Sequence, residues 1–249
     1  MCYSRVRKVA LMEEYMKKIT SILIAFILML SSILTVDAAN DEPEIDLIQT
    51  PDYYDSQRIK EEEEKYKFAE LYLSQKIMPY AGGRKTLNVT TRKQENDYFC
   101  GPAVAQMAIE FVSKKFVSQS TLAANMGTTS KDGTLVYRLK EEIKAQTKKN
   151  YVVSHISDRY FSTPLINNID ANLPVVFHVK TKKLNDKYTF DSGHYVLGIG
   201  YYWFAQGSTG ANDVTYIDPW YGAGILGRRT VSFDKMESAI KANAGYYIW

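Results

Sequence analysis

One cysteine lies beyond the first few residues of the chain, in the segment Gln94-Glu95-Asn96-Asp97-Tyr98-Phe99-Cys100-Gly101-Pro102. After it Val104, Met107, Ala108, Phe111 and Val112 recur at helical spacing, and Pro102 falls in the first turn, where a helix tolerates proline best. Cys100 is therefore expected at a helix N-terminus. A thiol attacks as its thiolate, and the positive end of a helix with an imidazolium nearby favours that charge. A helix start also suits any small residue, so position alone leaves Cys100 either reactive or inert.

A base must come from three histidines. His155 follows the run Tyr151 to Ser154, beside Asp158, and His178 sits inside Val175 to Val179, out of phase with Phe177; each suits an ordinary half-buried histidine. His194 follows Ser192-Gly193 and opens a long apolar and aromatic run, where a side chain emerges at the end of a sheet; it is the expected base. The runs Tyr195 to Trp203 and Val214 to Ile217 flank a Gly-, Ser- and Asn-rich connection, as a hairpin requires. Folding about residue 206 sets position 194 opposite roughly position 218, which is Asp218. A carboxylate there would hold the imidazole in the tautomer that accepts a thiol proton. Asp-Pro is also a common turn opener, so Asp218 admits a purely local reading. Gln94 can offer an amide N–H to an oxyanion beside the Cys100 backbone N–H, although a surface glutamine is the default for any single Gln.

The elements that would position these groups change character along the chain. Helical patterns come first: a charged one through Ile59, Tyr66, Ala69, Leu73 and Ile77, the one after Cys100, a short one from Ser120, and one over Leu135 to Thr147. A short strand pattern spans Leu87 to Thr90, and a Thr- and Ser-rich loop runs from Gly127 to Gly133. From Tyr151 on, short β-branched and aromatic runs bounded by Pro, Gly, Asn and Asp predict strands, with helices over Leu165 to Ala171 and Phe233 to Asn243. Helices first and strands afterwards predict an α+β fold with an antiparallel sheet.

Composition bounds the partners. A 45% apolar chain of 249 residues with 19 Tyr, 10 Phe and 3 Trp can bury a real core, which argues against disorder. Lys plus Arg exceed Asp plus Glu by only three and form no basic stripe among stacking aromatics, so nucleic acid is set aside as a partner.

The N-terminus reads as a signal peptide over residues 1–39: Lys17 and Lys18 precede an apolar run from Ile19 to Val36, then Val36-Asp37-Ala38-Ala39, with cleavage expected after Ala38 or Ala39. Uncleaved, the same run would anchor the protein in a membrane. Cys2 would leave with the signal, making Cys100 a lone cysteine in an oxidising compartment. Residues 40–83 form a charged helical segment, either a pro-segment over the cleft or a spacer, and 84–249 the catalytic domain. Gly82-Gly83 breaks the helical pattern and reads as a linker, with self-processing as the other reading.

Taken together, Gln94, Tyr98-Phe99-Cys100-Gly101-Pro102-Ala103 with Gln106-Met107, Gly193-His194-Tyr195-Val196 with Gly200-Tyr201, and Ile217-Asp218-Pro219-Trp220 resemble the C39-like branch of papain-like cysteine peptidases. The resemblance runs from about residue 85 to the end and implies a papain-like fold, with the Cys-bearing helix packed on an antiparallel sheet that carries His and Asp. It implies a Cys100–His194–Asp218 triad with Gln94 in the oxyanion hole, and a free-standing, exported, bacterial relative. A peptide or protein substrate follows, with no metal or organic cofactor. Two other readings remain: acyl or peptidyl transfer with the same site, as in a transglutaminase-like enzyme, or a non-catalytic surface protein that keeps the fold to bind peptide or wall material, against which the intact Gln, Cys, His and Asp quartet speaks.

Overall fold

The computed structural model describes residues 51–75, 83–203 and 212–249, with side chains from residue 56 onward. The expected signal peptide, its cleavage site, Gly82 and the tip of the predicted hairpin lie outside the described residues. A compact unit spans Asp55–Trp249, and every contact below belongs to it. Among the described residues no helix is long and apolar enough to cross a membrane.

Cys100–Gly101-Pro102 open the central helix. We number the helices α1 (Pro51–Gln75), α2 (Cys100–Ser113), α3 (Gln119–Met126), α4 (Val136–Thr147), α5 (Ser162–Asp170), α6 (Thr181–Leu184) and α7 (Phe233–Lys241). The strands are β1 (Gly83–Thr86), β2 (Val153–His155), β3 (Val175–Lys180), β4 (Gly193–Trp203), β5 (Asp213–Asp218), β6 (Gly227–Ser232) and β7 (Tyr246–Ile248). The strands form one sheet in the order β2-β7-β3-β4-β5-β6, every pairing antiparallel, with β1 extending the β3 side of β4. The expected α+β fold with an antiparallel sheet is thus the observed one.

Helix α2 is buried without interruption from Gly101 to Ile109, because it packs against α3, α4 and β4 at once. A helix apolar on all sides has to be central. Its partner β4 is buried from His194 to Tyr201. At the start of α2 a glycine lets the loop before α4 come close: a Cβ on Gly101 would stand 2.3 Å from Thr134 Oγ1.

Three elements depart from expectation. The strand expected over Leu87 to Thr90 begins four residues earlier, as β1; Leu87 adds one further bond to Ile199 O (2.7 Å) before the chain leaves the ladder. Gly83 accordingly opens a strand. Both β6 and α6 had no clear pattern: Gly227-Arg228-Arg229-Thr230-Val231-Ser232 is an edge strand with no residue fully buried.

Helix α1 docks on the β2 side of the sheet. Arg58 pairs with Asp158 (2.9 Å), Lys140 of α4 with Glu61 (2.9 Å), and Tyr72 donates to Asp170 of α5 (3.0 Å). Tyr66 meets the edge of Trp249 at 6.2 Å, and the Lys65 ammonium lies 4.3 Å over the same indole.

Candidate active site

Asn96 shapes the approach to Cys100. Its side-chain oxygen accepts the Tyr98 N–H (3.1 Å) and its carbonyl the Phe99 N–H (3.3 Å), which turns the chain into the first residue of α2. Phe99, the N-cap, makes no side-chain cap bond. The thiol is half-buried, and burial by itself pushes its pKa up. The hydrogen bond and charge of His194, aided by the N–H groups of Tyr195 and Gly101, outweigh that and hold it below the ordinary value.

His194 comes from the second residue of β4, held in register opposite Val179. It is 3% exposed. Its Nε2 meets Asp218 Oδ1 at 3.0 Å, which leaves Nδ1 as the ring nitrogen for the thiol. Burial would depress the imidazole pKa, but the Asp218 carboxylate, followed by the Cys100 contact, raises it to about 10.

Asp218 ends β5 and is fully buried. The ladder pairs Leu197 with Ile217, so Asp218 lies diagonal to His194, about two residues from the position that folding about residue 206 gives it. The diagonal still serves, since same-face neighbours offset by two remain within reach of long side chains. Oδ1 also accepts the Trp220 N–H (3.0 Å), and Oδ2 accepts the Tyr188 hydroxyl (2.5 Å). Asp218 thus does turn the chain, as Asp-Pro suggests, with the same oxygen that meets His194.

Tyr188 is a site residue that sequence reasoning missed. It stands 30 positions from Asp218 in a loop without periodic signal, and only the fold brings it there. Its phenol is held far above the ordinary range, first by burial and then by the Asp218 charge and hydrogen bond. It therefore remains a donor.

Gln94 is fully buried, contrary to the default for a lone glutamine. Its backbone N–H donates to Pro219 O (3.0 Å), next to Asp218, and its Nε2 donates to Asn96 O (2.7 Å), in the turn before Cys100. The contact with a carbonyl fixes the amide orientation and leaves Nε2 one further hydrogen.

The other two histidines lie apart from this chain of contacts. His155, on β2, meets Ser157 Oγ (2.5 Å) and Ala244 O (3.1 Å). His178 stacks on Tyr195 at 4.3 Å, and burial, then the His194 charge, lowers its pKa to about 4. It is neutral near neutral pH. Thr134, just beyond the Gly127–Gly133 loop, packs on Gly101, and Trp220 stacks on Tyr221 at 4.9 Å while meeting Phe190 edge-on at 4.8 Å.

A family model described as the Peptidase_C39 like family matches residues 86–246. The chain belongs to that family of cysteine peptidases. Among solved structures, the peptidase domain of Streptococcus ComA, a bi-functional ABC transporter of a quorum-sensing pathway, is similar at 18% identity and a TM-score of 0.43, covering 65% of this chain and 97% of that one. A double-glycine-motif protease from an AMS/PCAT transporter, solved with its leader peptide, is similar at 15% identity and a TM-score of 0.42, covering 68% and 94%. Bromelain from Ananas comosus, bound to the inhibitor E64, is similar at 14% identity and a TM-score of 0.44, covering 65% and 93%. No curated protein matches the chain in sequence.

Proposed function

We propose that this protein is an exported cysteine peptidase that hydrolyses peptide bonds, with Cys100 as nucleophile, His194 as base and acid, Asp218 as the group that orients His194, and Gln94 as an oxyanion donor. The observation that carries the reading is the placement of His194: Asp218 bonds one ring nitrogen at 3.0 Å, and the other serves the Cys100 thiol.

In the resting pair the proton sits on His194 and the charge on Cys100, because both pKa shifts favour the charged forms. The thiolate adds to the carbonyl carbon of the peptide bond, forming a C–S bond and moving the carbonyl electron pair onto oxygen. Gln94 Nε2–H and the Cys100 backbone N–H stabilise that oxyanion. As it collapses the C–N bond breaks, and His194 gives its proton to the departing amine. Water, deprotonated by His194, then adds to the acyl carbon, the C–S bond breaks, and the acid leaves with the Cys100 thiolate restored beside protonated His194. Asp218 keeps the ring aligned throughout. Export rests on residues 17–39, and protein recovered from its producer should begin at Ala39 or Asn40.

Incubating residues 40–249 with a proteome-derived peptide mixture, followed by mass spectrometry, tests the activity. Cleavage products should appear with the wild-type protein and vanish with Cys100→Ala. Identical peptide profiles for both, together with no acetyl thioester on Cys100 after p-nitrophenyl acetate, would refute the proposal.

A further inference from the structure

Residues 93–95, which carry Gln94, are held by hydrogen bonds on two sides. On one side the Gln94 N–H donates to Pro219 O (3.0 Å). On the other, a side chain replaces a strand: Gln119 Oε1 accepts the Glu95 N–H (3.1 Å), and Gln119 Nε2 donates to Lys93 O (2.8 Å). These are the two backbone groups on either side of the Gln94 N–H that bonds Pro219.

Gln119, the first residue of α3, is 2% exposed. Its second amide hydrogen goes to Gln106 Oε1 (3.1 Å), and Gln106 Nε2 in turn donates to Val117 O (2.8 Å). Every donor and acceptor of the Gln119 amide is therefore used, and a flipped amide would set its oxygen against Lys93 O and Gln106 Oε1. Gln106 lies on α2, the helix that begins with Cys100. The two glutamines thus connect the nucleophile's helix to the segment that carries Gln94.

We infer that Gln119 is a positioning residue of the oxyanion site: by clamping Lys93 O and Glu95 N–H it sets the direction of the Gln94 amide relative to the thiol. This rests on the reading of Gln94 as an oxyanion donor. The Gln94 side chain has few means of its own to hold that direction. It makes one hydrogen bond through Nε2, and its Oε1 is buried without a hydrogen-bond partner. The peptide on either side must supply the rest.

Two reactions of the same thiol separate this role from general stability. With p-nitrophenyl acetate the Cys100 thiolate forms a C–S bond, passes through a tetrahedral oxyanion and expels p-nitrophenolate, read by its colour. With iodoacetamide the thiolate displaces iodide, and no oxyanion forms. Removing an oxyanion donor costs on the order of a hundredfold, so Gln94→Ala should lower acylation by about that factor and leave alkylation close to wild type. Gln119→Leu should lower acylation roughly tenfold or more through misplacement alone, again with alkylation retained. Gln119→Glu adds a signature that lost stability would not produce. As a carboxylate it repels Lys93 O; protonated, it accepts from Glu95 N–H and donates to Lys93 O, so its acylation-to-alkylation ratio should recover as pH falls. That variant also carries the test if Gln119→Leu does not fold. An unchanged ratio in Gln119→Leu, or a ratio in Gln119→Glu that follows wild type at every pH, would overturn the inference while Gln94→Ala still lowers the ratio. An unchanged ratio in Gln94→Ala would overturn the oxyanion reading itself.

Discussion

What His194 touches on its far side decides where the proton of the pair resides. Two of the interactions that raise its pKa to about 10 come from Asp218 and two from Cys100. Cys100→Ser should therefore lower the His194 pKa from that value, as read by NMR titration of the ring protons. The same shift sets a stability profile. His194 is raised above its ordinary value of 6.5, so its contribution is full below that pH and is lost as pH rises towards about 10. Cys100, lowered in the fold from its ordinary 9.0, contributes in the opposite sense, so denaturant unfolding should show the pair adding little slope up to about that pH, with the loss from His194 setting in above it. Tyr188→Phe would leave one oxygen of a buried carboxylate short of a donor, and should cost roughly 1–3 kcal/mol of unfolding free energy. Cys100 and His194 stand out in the sequence because cysteine and histidine are few in this chain, and Asp218 because the hairpin pairing points to it. Tyr188 does not, since one of 19 tyrosines carries no distinguishing local pattern.

Elements were legible where burial writes a period into the sequence. The four strands that line the core, and α2, α4 and α7, appear within about two residues of expectation. Where the backbone pairs without burying side chains, the pattern fails. β1 reads Gly83-Arg84-Lys85-Thr86, half its residues exposed, while the alternation that looked like a strand belongs to Leu87 and Val89, which are buried beyond the ladder. The Gly198/Gly200 irregularity in the β4–β5 ladder is equally silent in sequence, and it moves Asp218 one residue nearer to the expected register. Helix α1 shows a different limit. Ile59, on the side expected to pack, is 50% exposed, whereas Arg58 and Glu62 are buried. Lys65 is nearly enclosed against Trp249 and Tyr151, its Nζ without a hydrogen-bond partner, and burial holds its pKa well below the usual value. Lys65→Met keeps the stem and removes the desolvated ammonium, so it should raise the thermal midpoint by a few degrees. A midpoint that falls would show that the cation–aromatic contact outweighs desolvation.

At the scale of the whole molecule, the site exists only where the helical layer meets the sheet: α2 supplies the thiol, while β4 and β5 supply the imidazole and carboxylate. Thr134 links the two: it packs against Gly101 of α2, and its O accepts the Tyr195 hydroxyl of β4 at 2.8 Å. Gly101→Ala would press a methyl into Thr134 and move the thiol from His194, so alkylation at neutral pH should fall at least about tenfold. The fold class could be read from the order of helices and strands; the meeting point could not, because it depends on contacts between residues far apart in sequence. The central claim is that this meeting point produces a thiolate–imidazolium pair. Its most direct test is the rate of Cys100 alkylation by iodoacetamide across pH, on residues 40–249, beside His194→Ala and a denatured control. A folded-state rate that stays high well below pH 7 and collapses in His194→Ala is the predicted result. A thiol that follows the denatured control at every pH, or reacts only on unfolding, would contradict it.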